Sequence, residues 1–209
     1  MARCVRSPIL MDVSDSNSTH NYLRAFSEHG ESPKSLKWIS YKSVAKRYRQ
    51  LVRDLNFENK TILDAGCGMG DLLPFIYAKS SNFDYLGVDI IPEFIDIAKK
   101  RYEGNAFKVA DVFGKDFNQK FDVIVSSGIM NHNISDWLEV RKKMIVKLFD
   151  LANEVLAFNM AGALNPIPSD QKIAYANAKE ILDFCATLTP KLILKTHYHP
   201  KDFTVVMFK

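Results

Sequence analysis

The sequence predicts an α/β protein: a doubly wound, seven-stranded sheet, mostly parallel with an antiparallel last strand, behind a short helical cap. Three observations lead there. Apolar, often β-branched runs alternate with amphipathic helical stretches from about residue 60 onward. The first of those runs opens directly into a glycine-rich turn, Asp64-Ala-Gly-Cys-Gly-Met-Gly70. The last two are separated only by Pro200-Lys-Asp202, which makes them a hairpin.

Residues 1–18 are polar and serine-rich and are expected to be poorly ordered. Tyr22, Leu23 and Phe26 then share one helical face. Val44, Tyr48, Leu51, Val52 and Leu55 share another, with a turn signal at Gly30-Glu-Ser-Pro33 between them. Residues 1–58 are therefore expected to be a disordered start followed by a helical cap over the glycine-rich end of the sheet, and residues 59–209 the core.

In the core, Thr61-Ile-Leu63 suits a strand buried on both faces. Asp71 is placed to cap the next helix, and Pro74 is acceptable in a first turn because its missing N–H needs no helical partner there. Strands follow at 84–89, 105–110, 121–126 and 154–159, with helices at 93–102, 136–152 and 176–188, then the hairpin strands 191–198 and 203–208. The loop 161–175 holds Asn165-Pro-Ile-Pro168. That run echoes the Asn-Pro-Pro-aromatic motif of amino-group DNA methyltransferases, but it follows the fifth strand rather than the fourth and lacks the aromatic, so it is expected to be a turn. The loop as a whole is expected to cover a substrate.

Composition excludes several classes of function. With 209 residues, 47% hydrophobic and 25% charged, the chain has enough apolar content for one sizeable core. A net charge of +4 is mild, and the basic stretch Lys42 to Arg53 is expected to be a solvated helix face rather than a nucleic-acid footprint. No apolar run reaches the roughly 18–20 residues of a membrane span. Cys4, Cys67 and Cys185 lack metal-ligand spacing, and His197-Tyr-His199 has no third ligand, so no metal site is expected. Scattered cysteines and the absence of a signal-peptide core predict a cytoplasmic protein.

The glycine spacing narrows the chemistry. A dinucleotide fingerprint would need glycine at 71, where Asp71 stands, and a P-loop would need Gly-Lys-Ser/Thr. Acid-x-Gly-x-Gly-x-Gly at 64–70 instead resembles the first motif of the class I S-adenosylmethionine-dependent methyltransferases, over roughly residues 60–209. The resemblance implies a Rossmann-like methyltransferase fold and S-adenosylmethionine as cofactor, released as S-adenosylhomocysteine. It places Gly66 and Gly68 under the methionine and ribose, with Asp64 anchoring the loop and Cys67 among the cofactor-binding residues. Asp89, ending the second strand, can accept hydrogen bonds from both ribose hydroxyls, and Ile90 is placed to pack on the adenine. Asp111 would meet the adenine amino group, the main chain of Val112 a ring nitrogen, and Ser126 and Ser127 the methionine amino group. Upstream, Trp38 and Arg47 are similar to cap residues that close over the methionine end.

Methyl transfer needs a nucleophile held in line about 3–3.5 Å from the activated carbon, and often a base. His132, in the loop after the fourth strand, is the expected catalytic group, as base or as a group that orients the substrate. Tyr22, Asn131, Asn159 and His199 are the expected substrate contacts. With no appended domain to grip a macromolecule, the expected acceptor is the oxygen or nitrogen of a small molecule. The alternatives are an RNA or protein methyltransferase, or a regulatory protein that binds S-adenosylmethionine without turnover.

Overall fold

The structure, a computed structural model, describes residues 16–170 and 172–209. The expectation of disorder falls almost wholly outside them, and Ser16 already opens the first helix. In order, the elements are α1 (Ser16–His29), a short 3-10 helix (Pro33–Leu36), α2 (Tyr41–Val52), β1 (Lys60–Ala65) and α3 (Leu73–Tyr77). Next come β2 (Phe83–Asp89), α4 (Pro92–Arg101), β3 (Ala106–Val109), β4 (Phe121–Ser127), α5 (Trp137–Leu151) and β5 (Ala152–Ala163). The chain closes with β6 (Ala176–Asn177), α6 (Ala178–Ala186), β7 (Leu192–Lys195) and β8 (Asp202–Phe208).

The sheet order is β3-β2-β1-β4-β5-β8-β7, and the two-residue β6 pairs with β5 off this path as an eighth strand. Strands β1 to β5 run parallel, while β8 is antiparallel to both β5 and β7 and lies between them. Order reverses between β1 and β4, so the crevice outside the carboxyl ends of these strands is the natural ligand site.

Side-chain alternation assigns the two faces. Leu63, Ala65, Ile124, Leu156 and Phe158 pack with α5 and α6 through Ile145, Leu148 and Ile181. Their sequence neighbours Ile62, Val123, Val125, Val155 and Ala157 pack on the opposite face with α2, α3 and α4 through Leu51, Leu73, Ile76 and Ile95. Most of these side chains have no exposed surface, and each of the larger ones, Val, Leu, Ile and Phe, is worth ~1.5–3 kcal/mol of burial.

This placement corrects the expected cap. Helix α2, started by Ser40, whose Oγ accepts from the Ser43 N–H at 3.3 Å, lies against a sheet face rather than over its end. Only α1, the 3-10 helix and the residues after it stand over the glycine turn. There Tyr22, Leu23, Phe26 and Leu36 form a small separate cluster with Met69, Ile91, Phe94 and Ile97. Strand β5 also runs four residues past its expected end, because β8 pairs with it from Val155 to Ala161. Asp71 does not cap α3: the residue before that helix is Leu72, and the Asp71 carboxylate meets Arg101 at 3.1 Å.

Candidate active site

The site grows from the end of β1. The Gly66 and Cys67 N–H groups both donate to the Val88 carbonyl, at 2.8 and 2.9 Å, which folds the turn back over β2. Gly66 has φ +75°, and a Cβ there would lie 2.1 Å from Ile129 Cγ2, so both the backbone and the space require glycine. At the end of β2 the Asp89 carboxylate accepts from the Gly68 N–H at 2.9 Å through one oxygen and from the Ile91 N–H at 3.0 Å through the other. Burial raises its pKa, against backbone hydrogen bonds from Ile91, Gly68 and Ile90 that lower it. Asp89 thus ties the glycine turn to the start of α4 while keeping lone pairs for a ligand. Ile90 beside it is one of the exposed large apolar side chains.

Asp64 lies beneath the turn. It is 2% exposed and accepts from the Tyr85 hydroxyl at 2.9 Å. Burial first, and then the charges of Asp89 and Asp71, raise its carboxyl to about 7 against the Tyr85 hydrogen bond, which lowers it. Cys67 turns its side chain under the sheet rather than toward the crevice: a Cβ at Gly87 would meet its Sγ at 3.0 Å. Burial raises the thiol pKa well above the usual range, so only the Cys67 main chain is available to a ligand.

After β3, Asp111 Oδ1 accepts from the Phe113 N–H at 2.8 Å, and the neighbouring Val112 is buried. After β4, Ser126 Oγ donates to the Ala65 carbonyl at 3.1 Å, joining the ends of β1 and β4. Ser127 and Asn159 hydrogen-bond each other side chain to side chain, with Asn159 Nδ2 3.1 Å from Ser127 Oγ. Extension of β5 leaves Asn159 fully buried inside the strand, beneath the crevice rather than on its rim.

The loop after β4 carries the polar face opposite the glycine turn. Asn131 Oδ1 accepts from the Ala161 N–H at 2.8 Å, and the Asn131 carbonyl accepts from the Ala174 N–H at 3.1 Å. That side chain fixes the loop to β5. His132 pairs with Ile173 in an isolated antiparallel bridge, so the 161–175 segment is fastened against it. Across the opening Tyr22 meets the histidine edge to face, ring centroids 5.8 Å apart, with its hydroxyl 3.5 Å from His132 Nε2. Burial and the Asp89 charge both raise the Tyr22 pKa, which keeps it a hydroxyl.

Trp38 covers the β4 end, so close that a Cβ at Gly128 would lie 2.9 Å from its Cζ2. Arg47 stacks over the Trp38 ring, 4.8 Å from its centroid. The arginine is 6% exposed rather than solvated. Its guanidinium pairs with Asp202 at the start of β8 and donates to the Ser43 carbonyl at 3.0 Å. His199 Nδ1 lies 3.0 Å from the same Asp202 and borders a cavity of about 260 Å³ lined also by Asn165, Ile167 and Thr196.

Comparison with known proteins gives this arrangement its family. A family model described as a methyltransferase domain matches residues 56–181. The chain belongs to the class I S-adenosylmethionine-dependent methyltransferases. The methyltransferase is 26% identical over 155 residues to a presumed methyltransferase of Mycobacterium tuberculosis, covering 71% of this chain and 93% of that one. It is 30% identical over 129 residues to a malonyl-[acyl-carrier protein] O-methyltransferase of Anoxybacillus flavithermus, covering 59% of this chain and 48% of that one. Its fold is similar to that of a Synechocystis magnesium protoporphyrin IX methyltransferase solved with bound S-adenosylmethionine, at TM-score 0.65 and 17% identity. That match covers 97% of this chain and 99% of the other.

The structure brings Asp64, Gly66, Gly68, Asp89, Ser126, Ser127 and Trp38 to one end of the sheet, with Tyr22, Asn131 and His132 around its opening. His199 stands apart, on the cavity beside β8. Sequence reasoning missed Tyr85, Asp202 and the side chains of Leu36 and Ile129, which stand on Gly68 and Gly66. Of these only Asp202 carries a signal, an acid at the head of a mainly apolar run beside the Pro200-Lys-Asp202 turn. No helix among the described residues is long and apolar enough to cross a membrane, and no group of three His, Cys, Asp or Glu among them is placed to hold a metal ion.

Proposed function

We propose that the enzyme moves the methyl group of S-adenosylmethionine to an oxygen or nitrogen of a small-molecule acceptor, with His132 as base or orienting group. The observation that carries this reading is the Tyr22–His132 pair, held across the opening from the Asp89-tied glycine turn. A sugar hydroxyl pair suits the lone pairs of Asp89, and Asp111 Oδ2 is left for an exocyclic amine. Ile90 offers an apolar platform, and Gly66 and Gly68 let the main chain approach the sulfur end. S-adenosylmethionine supplies a methyl already activated by positive sulfur. The chain's residues therefore align the acceptor, exclude water and take a proton at the His132 ring.

The names of the relatives support a non-nucleic acceptor, one acting on magnesium protoporphyrin IX and another on a malonyl-acyl-carrier protein. Calorimetric titration with S-adenosylmethionine, S-adenosylhomocysteine and, as control, NADH tests the donor site. Micromolar binding of the two sulfur nucleotides alone is expected, and binding of NADH in their place would remove the reading. An acceptor screen that reads S-adenosylhomocysteine release then tests turnover. Donor binding without turnover on any acceptor would favour a regulatory protein.

A further inference from the structure

Methyl transfer at His132 leaves the polar cavity beside the head of β8 without a task. That cavity has a volume of about 260 Å³ and is lined in part by Ala163, Leu164, Ile167, Thr196, His199 and Asp202. A site for a whole small molecule usually measures about 300–1,000 Å³, so this one suits one end of a larger ligand. It neighbours the methyl-transfer crevice through β5. The His132 loop is fastened to that strand at Ala161, and Ala163, on the cavity, is about 7 Å further along it. The segment leaving β5 there lines the cavity with residues 163–167 and then runs back to meet His132 at Ile173. Behind both compartments stands Arg47, stacked on Trp38 and paired with Asp202.

The polar wall is held in place from behind. Asp202 is 4% exposed, and its Oδ2 meets both Arg47 and, at 3.0 Å, His199 Nδ1. Its Oδ1 has no hydrogen-bond partner among the described residues and is not sealed off, so its lone pairs are open to whatever enters. The Lys201 N–H donates to His199 Nδ1 at 3.1 Å, and the Lys201 carbonyl accepts from the Gly162 N–H at 3.0 Å. With Nδ1 engaged, Nε2 is the ring atom left for a ligand. Burial first, and then the Arg47 charge, lowers the His199 pKa against Asp202, which raises it, and Lys46 and Lys201 lower it further. The ring is therefore neutral at pH 7. A carboxylate in the wall repels an anion, and Arg47 already answers its charge, so no second cation is called for. A hydroxyl suits the wall, since it donates to Asp202 Oδ1 and can still accept from Thr196 or the His199 ring. Ile167 and Leu164, the latter 52% exposed, offer apolar surface to the body that carries it.

We infer that this cavity is a second subsite for the methyl acceptor, receiving an uncharged hydroxyl on an apolar body while the atom to be methylated faces His132. Asp202 and His199 then select which acceptors fit and take no part in the transfer itself. This inference rests on the proposed methyl transfer for the identity of the ligand, but the hydroxyl site stands on the geometry beside β8.

The test uses the full chain with isotope-labelled histidine, its His199 and His132 resonances assigned with His199→Gln and His132→Gln. Benzyl alcohol is titrated with and without S-adenosylhomocysteine, and benzoate and benzylamine serve as its charged counterparts. Saturable millimolar shifts at His199 are expected for the alcohol. They should weaken at least about tenfold in Ile167→Trp, which fills the cavity, and measurably in Thr196→Val. Neither of these side chains is fully buried, so thermal unfolding of both variants is expected to stay near that of the parent. Absence of a shift at His199, an affinity unchanged in both variants, or tighter binding of benzoate or benzylamine would overturn the hydroxyl site. Acceptors found through S-adenosylhomocysteine release supply the second arm. For one with a distal hydroxyl, Ile167→Trp is expected to raise KM at least about tenfold with little change in kcat, and an unchanged KM would overturn the subsite. Failure of S-adenosylhomocysteine to bind while the alcohol still shifts His199 would instead count against the proposed function.

Discussion

A carboxyl group closed off from water at the end of β1 keeps its proton to about pH 7, well above its ordinary 3.8. Between those values the unfolded chain releases the proton and the folded chain holds it. Burial of Asp64 therefore subtracts steadily more stability as pH rises from 4 to 7, and a constant amount above. Asp64→Asn keeps the shape and removes the titration. Urea unfolding across that range is expected to show the variant gaining on the parent by a few kcal/mol, on the order of the linkage term; parallel curves would contradict it. Asp89 differs in kind, because both its oxygens already hold backbone N–H groups. Asp89→Asn is expected to lose at least about tenfold in S-adenosylhomocysteine affinity, ~1.4 kcal/mol, and some thermal stability with it. His132→Ala should leave that affinity intact and lower turnover on the true acceptor by about 10²–10⁴, the usual worth of a general base. Wild-type turnover in that variant would rule the histidine out.

Between elements, a buried ion pair joins α2 to β8. Arg47 and Asp202 are 7% and 5% exposed at the side chain and lie 155 residues apart in sequence. Removing one partner strands a buried charge, so Arg47→Met or Asp202→Leu alone is expected to cost about 3–5 kcal/mol in chemical unfolding. The double variant should recover most of that loss, and a purely additive result would mean that the pair is not coupled. The glycine turn and the loop after β4 form a second such contact. Gly66→Ala drives a methyl into Ile129 and asks an L side chain to hold φ +75°. Adding Ile129→Ala is expected to restore part of the stability measured by thermal unfolding and none of the donor affinity, because the strained φ remains.

On the scale of the molecule, the elements visible in the sequence are those written by local pattern. The alternation of strands and helices, the glycine turn and the acid at the end of β2 all depend on residues close in sequence, and the chain places them as the pattern implies. Arg47, Asn131 and Asn159 show the limit. Arg47 finds Asp202 across the fold, Asn131 is taken by the Ala161 N–H, and Asn159 is buried by a β5 that β8 lengthens. Each partner is chosen by tertiary proximity, which no spacing encodes. The cap shows it too, since α2 has the stripe of any amphipathic helix and nothing local says which surface it will cover. The place of β8 between β5 and β7 has a further consequence for a chain made from one end. On the ribosome β5 and β7 are both complete before the strand that joins them exists. The open edge of β5, with Val155, Ala157 and Met160 along it, must then wait for a strand made after β7, and it is there that a nascent chain held up in synthesis would meet a chaperone or a second copy of itself.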